Sequence, residues 1–236
     1  MKFLVSVVVT LYNYKDYIKD CIKSFLDQDF MDSEIIIVDD ASIDNPYEGI
    51  RKYIGERVKY IKLSENKGYS NAKNVGIRNC LSDVIVMLDA DDMLTKKGIS
   101  VRYNKIIKGY DLVHGPALDF KNGHTTPSRM WAEWKKTKQW KYVHAQGIML
   151  KKQIHKKIGL YDSNLRCKSD REMLARIFNH GFKIGTVNKF VCLYRKHSRQ
   201  MHRSKEKIKN NVKLQKYVMN LIEKRKMDLS ELEFLD

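Results

Sequence analysis

Four short stretches are dense in β-branched and aliphatic residues: Phe3 to Thr10, Glu34 to Val38, Val58 to Leu63 and Val84 to Leu88. Runs of this length with little polar alternation read as strands buried on both faces, the kind found in parallel sheets. Between them the period changes. Tyr17, Ile18, Cys21, Ile22, Phe25 and Leu26 recur at helical spacing and predict a helix ending near Gln28; Asn45-Pro46 opens a second helix and Asn71 to Cys80 suits a third. Strand and helix alternate, which predicts an α/β fold with a mostly parallel sheet, right-handed crossovers and helices on its faces. Past the fourth strand the pattern loosens. Lys97 to Lys108 reads as a helix and Asp111 to His114 as a short strand, whereas Gly123 to Gln139 shows no clear period.

Open parallel sheets gather ligands at the carboxyl ends of their strands. Here those ends carry Thr10 to Asn13, Asp39-Asp40, the loop around Asn66, and Asp89-Ala90-Asp91-Asp92. Three acids within four positions repel one another, and a divalent cation removes the repulsion. Carboxylate oxygens favour Mg²⁺ or Mn²⁺, ions that keep open positions for substrate phosphates. A plain acidic loop is the alternative. There is no G-x-G-x-x-G after the first strand and no G-x-x-x-x-G-K-[ST] anywhere, so dinucleotide-binding and P-loop readings fall away. A nucleotide still has a stacking face in Tyr12, and Asp40 suits the imide N–H of uracil or thymine. Equally, Tyr12 caps the sheet and Asp40 caps the helix after Pro46.

Composition narrows the class. A chain of 236 residues with a 43% hydrophobic fraction supports one large domain, while 31% charged residues and a mean hydropathy of -0.51 give a polar, soluble surface. Cys21, Cys80, Cys167 and Cys192 are scattered, which argues against a zinc cage or a disulfide framework and fits a reducing cytoplasm. The start, Met1 to Val9, reads as a strand rather than a signal peptide, because Tyr12, Asn13, Lys15 and Asp16 stand where a cleavage site is needed. No apolar run approaches the roughly 20 residues of a membrane helix. Net charge is +17, and residues 1 to 118 carry 17 Lys+Arg against 17 Asp+Glu, so the whole excess lies in residues 119 to 236. A basic second half points to something anionic, whether phosphorylated substrate, acidic polymer, membrane face or nucleic acid, or to a merely lysine-rich solvated surface.

Four segments in order, Val5 to Asn13, Ile36 to Asp44, Asn66-Lys67-Gly68 with Ala72-Lys73-Asn74-Val75-Gly76, and Leu88 to Asp92, resemble the family 2 glycosyltransferases with the GT-A fold. The resemblance runs to about residue 200. It implies that Thr10, Tyr12 and Asn13 with Asp40 hold the donor's base, and that Asp89 and Asp91 hold ribose and metal-diphosphate. Lys73 stands where the family more often has Arg, which keeps the charge but not the two-pronged geometry. Gly159-Leu160-Tyr161-Asp162 followed by Ser169-Asp170-Arg171-Glu172 resembles the segment bearing the catalytic acid pair. Ser169 replaces the usual Glu, so only Asp170 carries over, as general base; a helix cap is the other reading. Val191 to His197 matches a late strand and loop in which the His approaches the metal, so His197 joins Asp89 and Asp91 as a metal candidate, or is simply structural.

The resemblance divides the chain into a catalytic domain over 1–200, with a nucleotide-sugar half (1–118) and an acceptor half (119–200), and a basic helical extension over 201–236. In the acceptor half, Trp131, Trp134 and Trp140 sit among Lys135, Lys136, Lys138 and Lys141, suited to sugar faces, to nucleic acid or to rim packing. Arg203 to Lys226 reads as a basic helix that packs on the domain, pairs with a subunit or lies on an anionic membrane. The implied activity is inverting, metal-dependent transfer from a nucleotide sugar to a hydroxyl of a glycan, glycolipid or protein, with Mn²⁺ or Mg²⁺ as cofactor; Asp40 suits the imide edge of a UDP-sugar, an edge that dTDP shares. Nucleic acid is not an obligate partner, and the location is the cytoplasm or the inner face of a membrane. A sugar-phosphate nucleotidyltransferase would want a glycine-rich loop after the first strand, and Leu11-Tyr12-Asn13-Tyr14 has none. A nucleic-acid-binding protein leaves Asp89, Asp91 and Asp92 without a purpose.

Overall fold

The computed structural model describes residues 2–165, 168–200, 216–226, 232–233 and 235. In chain order the elements are β1 (Val5–Leu11), α1 (Lys15–Leu26), β2 (Ser33–Asp39), α2 (Pro46–Ile50), β3 (Val58–Lys62), α3 (Tyr69–Arg78), β4 (Val84–Asp89), β5 (Met93–Leu94), α4 (Gly98–Ile106) and β6 (Leu112–His114). There follow β7 (Ala117–Lys121), β8 (His124–Pro127), α5 (Arg129–Thr137), β9 (Ile148–Lys151), α6 (Gln153–Ile158), α7 (Ser169–Asn179), β10 (Ile184–Thr186) and β11 (Cys192–Arg195). A seven-stranded sheet runs β10-β6-β9-β4-β1-β2-β3, and a smaller one runs β5-β11-β7-β8.

The expected parallel core is present: β4, β1, β2 and β3 pair in parallel, with Thr10 level with Asp89 and Leu11 level with Asp39. Every residue of β1 and β2 is buried, which is why their sequences do not alternate. Val5, Val7 and Val9 face one apolar layer with Ile18, Ile22 and Phe25 of α1, while Val8 faces the other with Ala72 and Ile77 of α3. Gly76 lets α3 press onto the sheet, since a Cβ there would run into the Val8 side chain.

The second half differs from its reading. Strand β9 inserts antiparallel between β4 and β6, and residues 123–139, which show no period, hold the end of a hairpin and the helix α5. Strands of three to five residues are too short to display a period, so their pairing is decided by the sheet they join, and α5 has no buried residue, so no demand of the core marks it in the sequence. The expected basic helix lies partly outside the described residues, which take up the chain again at 216. There residues 216–224 are helical, and Val218, Leu221 and Ile222 pack against Leu165 and Ala175 of the domain, in line with the packing reading. Among the described residues no helix is long and apolar enough to cross a membrane.

Candidate active site

Three carboxylates follow β4. Ligand oxygens of Asp89, Asp91 and Asp92 lie within 4.8 Å of one another. Asp92 is fully buried; its Oδ1 accepts the backbone N–H of Arg195 at 2.9 Å, and its Oδ2 has no partner. Burial, with Asp91 and Asp89 alongside, pushes its carboxyl well above the ordinary range. Burial, opposed by Lys73 and aided by Asp91 and Asp170, lifts Asp89 from 3.8 to about 6. Three converging hard oxygens, one unpartnered, are a donor set suited to Mg²⁺ or Mn²⁺.

Strand β11 brings in the next group. His197 Nε2 lies 2.9 Å from Asp91 Oδ2, and Arg195 donates from Nε to the Asp91 carbonyl at 2.9 Å. The candidate metal ligand from the late loop therefore touches the acid cluster through Asp91. Asp92 completes the cluster.

On the other side of Asp89 lies the candidate base. Tyr69, at the start of α3, donates its hydroxyl to Asp89 Oδ1 at 2.7 Å, and the same oxygen lies 3.2 Å from Asp170 Oδ2. One phenol proton thus faces two carboxylates. Burial, then Asp170 and Asp89, push this phenol well above its ordinary range, so it stays a neutral donor. Lys73 is fully buried, pairs its ammonium with Asp170 Oδ1, and sits 3.9 Å from the Tyr69 ring centre and 4.7 Å from that of Tyr161. Gln146, just before β9, donates to Asp89 Oδ2, and Thr10 Oγ1 lies 3.4 Å from Oδ1.

Two capping alternatives are corrected here. Helix α7 is capped by Lys168 in the left-handed region with no side-chain cap bond, so neither Ser169 nor Asp170 serves as its cap and Asp170 is free to meet Lys73. Helix α2 likewise has Asn45 as its cap, without a side-chain bond. Asp40 instead accepts the backbone N–H groups of Lys67 and Gly68, each at 2.8 Å, and Gly68 adopts φ 92 to present its own. Tyr12 is 45% exposed at the same rim, available as a stacking face. Asn13 is committed locally: its Oδ1 accepts the Ile43 N–H at 2.9 Å and its own N–H goes to Ser42. Glu172, two residues after Asp170, lies buried in ion pairs with Arg176 and Arg225.

The fold therefore brings Thr10, Lys73, Asp89, Asp91, Asp170 and His197 into one polar cluster, with Tyr12, Asn13 and Asp40 on the neighbouring strand ends. It adds Tyr69, Gln146 and Arg195, none of which was singled out in the sequence. Tyr69 had a cue in its place directly after Asn66-Lys67-Gly68, and Arg195 in lying within the matched segment Val191 to His197. Trp131 and Trp134 stack on one another, centres 5.0 Å apart, with Trp134 against His114 and under Lys138.

A mostly parallel sheet with an acidic cluster at the carboxyl ends of its parallel strands, flanked by helices and accompanied by a second, smaller sheet, defines an α/β domain of the GT-A type. Residues 6–184 match the family model "Glycosyl transferase family 2", and the chain belongs to that family as a glycosyltransferase. It is 26% identical over 226 residues to glycosyltransferase GlyG of Streptococcus pneumoniae, a match covering 86% of this chain and 74% of GlyG. Two further curated relatives, glycosyltransferase GlyA of Streptococcus pneumoniae and the putative teichuronic acid biosynthesis glycosyltransferase TuaG of Bacillus subtilis, are matched over only 15% and 38% of their length. Among solved structures, residues 1–349 of S. aureus TarS in complex with UDP-GlcNAc superpose with TM-score 0.75 at 19% identity, covering 97% of this chain and 68% of that one. The mannosyltransferase PcManGT of Pyrobaculum calidifontis, in complex with GDP-Man and Mn²⁺, gives 0.69 at 18%, covering 86% and 59%. At these identities the structural likeness speaks to the fold.

Proposed function

We propose that the chain is an inverting, metal-dependent glycosyltransferase that moves a sugar from a nucleotide-sugar donor, a UDP-sugar, to an acceptor hydroxyl. One observation carries this: a single phenol, Tyr69, reaches both Asp89 of the acid cluster at 2.7 Å and Asp170 at 3.2 Å, so the candidate donor site and the candidate base meet at one side chain. Asp89, Asp91 and Asp92 would hold Mn²⁺ or Mg²⁺ with His197 beside them, and the ion, when bound, supplies positive charge for a departing diphosphate.

Asp170 takes the acceptor's proton while that oxygen attacks the anomeric carbon and the nucleoside diphosphate leaves. One carboxylate facing the acceptor is what inversion needs. Lys73 now occupies Asp170 Oδ1, and a diphosphate is a competing anion for its ammonium. Donor arrival therefore draws Lys73 toward the phosphates and frees the oxygen that accepts the proton. Tyr12 supplies a face for the base, and Asp40, with both oxygens aimed at the loop N–H groups of Lys67 and Gly68, keeps lone pairs for an imide N–H.

The neighbours support the donor class, since TarS was solved with UDP-GlcNAc and PcManGT with GDP-Man and Mn²⁺. The acceptor is a glycan, glycolipid or protein hydroxyl near an anionic group, matched to the basic second half. Peripheral contact with an anionic membrane falls to the same half, part of which lies outside the described residues. Buried free thiols at Cys21, Cys80 and Cys192 suit a cytoplasmic setting.

A screen of nucleotide sugars with Mn²⁺, scored for binding and slow donor hydrolysis, tests the reading. Hydrolysis of a UDP-sugar that Asp91→Asn abolishes is the expected result. Absence of binding by any nucleotide sugar with Mn²⁺ present refutes it.

A further inference from the structure

Helix α7 carries Asp170 in its first turn and Glu172 two residues later, so whatever locates Glu172 also locates Asp170. Glu172 is fully buried, and Asp162, in the loop before the helix, is 6% exposed. Two buried carboxylates side by side need two cations. Arg176 is one; it lies on α7 itself, meets Glu172 at 2.7 Å, and reaches back to the carbonyls of Ile158, Gly159 and Leu160.

The other comes from far along the chain. Arg225, 3% exposed at the end of the helical segment 216–224, lies 2.8 Å from Glu172 Oε1 and donates to Asp162 Oδ2 at 2.7 Å. It is held there by Val218, Leu221 and Ile222 packing on Leu165 and Ala175. The loop it grips is also tied to α3. Asn74 exchanges hydrogen bonds with the Tyr161 backbone at 2.7 and 3.0 Å, and Ser70 donates to the Leu165 carbonyl. Helix α3 carries Tyr69 and Lys73, the two groups that touch Asp170.

We propose that Arg225 is a positioning residue of the transfer reaction: by bridging Asp162 and Glu172 it sets the first turn of α7 against α3, and so places the Asp170 carboxylate. The inference rests on the reading of Asp170 as the base. Without Arg225, Glu172 keeps Arg176 but the buried Asp162 loses the cation that pairs with it, and the loop and helix are pushed apart. Among the described residues, no hydrogen bond or ion pair joins the donor site at the ends of β1, β2 and β4 to this bridge. Donor binding and transfer should therefore separate.

The test uses the full chain with Mn²⁺, a UDP-sugar and an acceptor, with turnover normalised to sites counted by UDP binding. Arg225→Met should lower kcat by about 10²-fold, the scale of an ångström-sized misplacement, with donor KM and UDP affinity within about twofold. Arg225→Lys, which keeps the charge but meets one carboxylate at a time, should recover part of the loss. In an Asp170→Asn background, Arg225→Met should change the residual rate no further. A normal kcat per site in Arg225→Met, or an equal loss in the Asp170→Asn background, overturns the proposal. If Arg225→Met does not fold, Asp162→Asn combined with Arg225→Met removes the unpaired charge and leaves Glu172 paired with Arg176. That protein should bind UDP and still transfer slowly, and full transfer overturns the proposal. Normal transfer by Asp170→Asn alone refutes the base reading itself, whereas an inactive Asp170→Asn beside a normal Arg225→Met refutes only the role of Arg225.

Discussion

The acid cluster holds itself together at a cost, and Asp91→Asn should reveal it. Carboxylates of Asp89 and Asp91 lie within 4.8 Å, and at an effective dielectric of about 20 two such charges repel by about 3 kcal/mol. The amide removes that repulsion and weakens the His197 contact, which is worth about 1 kcal/mol. In EDTA the variant should then be more stable by about 1 to 2 kcal/mol, a rise of roughly 2 to 4 °C in Tm per kcal/mol for a chain of this size. Metal should reverse the order. At an ion concentration of about 100 times Kd the unmodified protein gains about 2.7 kcal/mol, and Asp91→Asn gains little. Proton linkage adds a second axis. Asp89 is raised above its unfolded value of 3.8 to about 6, so its contribution to stability is full below the unfolded value and is lost as pH rises through about 6. Because Asp89 keeps some exposure, the size is about 1 to 2 kcal/mol. The metal-free protein should gain part of this, about 0.5 to 1 kcal/mol, as pH drops from 7.5 to 5.5, while the Mn²⁺-induced shift shrinks because the ion must displace a proton. Thermal melts with EDTA or Mn²⁺ at both pH values read all of this. A lower Tm for Asp91→Asn in EDTA, or an undiminished Mn²⁺ shift in it, refutes the reasoning.

Asp40→Ala should narrow the preference for UDP over CDP, since a carboxylate accepts the uracil imide and repels the cytosine acceptor edge; equal competition by CDP in the unmodified protein counts against the pocket. Tyr69→Phe removes the one hydroxyl between Asp89 and Asp170, and transfer should fall about tenfold with the fold intact. Turnover unchanged in that variant would leave the phenol a space-filler. Gly76→Ala should lower stability by about 1 to 3 kcal/mol through its collision with Val8, outweighing a helix-propensity gain of about 1 kcal/mol. A raised Tm would mean α3 shifts freely over the sheet.

Along the sequence, β1, β2 and β4 announce themselves because a strand buried on both faces needs apolar side chains at consecutive positions, and that demand is local. Asp40, Asp89 and Asp91 are legible for the same reason: parallel strands deliver their following residues to one edge, so polar residues after apolar runs share an address before any contact is known. Asp170, Lys73 and His197 were readable only through resemblance, because nothing near them in the chain says what they meet. Their convergence belongs to the tertiary structure. Tyr69 and Asp170 are 101 residues apart, His197 and Asp91 are 106 apart, and no local period encodes such separations. Short strands such as β9 and β10 take their direction from neighbours already in the sheet, so three or four residues of sequence leave it open. Arg225 is the limiting case. In the sequence it is one more cation in a basic stretch, and only the packing of residues 216–224 buries it between Asp162 and Glu172, where unpaired charge is too costly to leave unmatched.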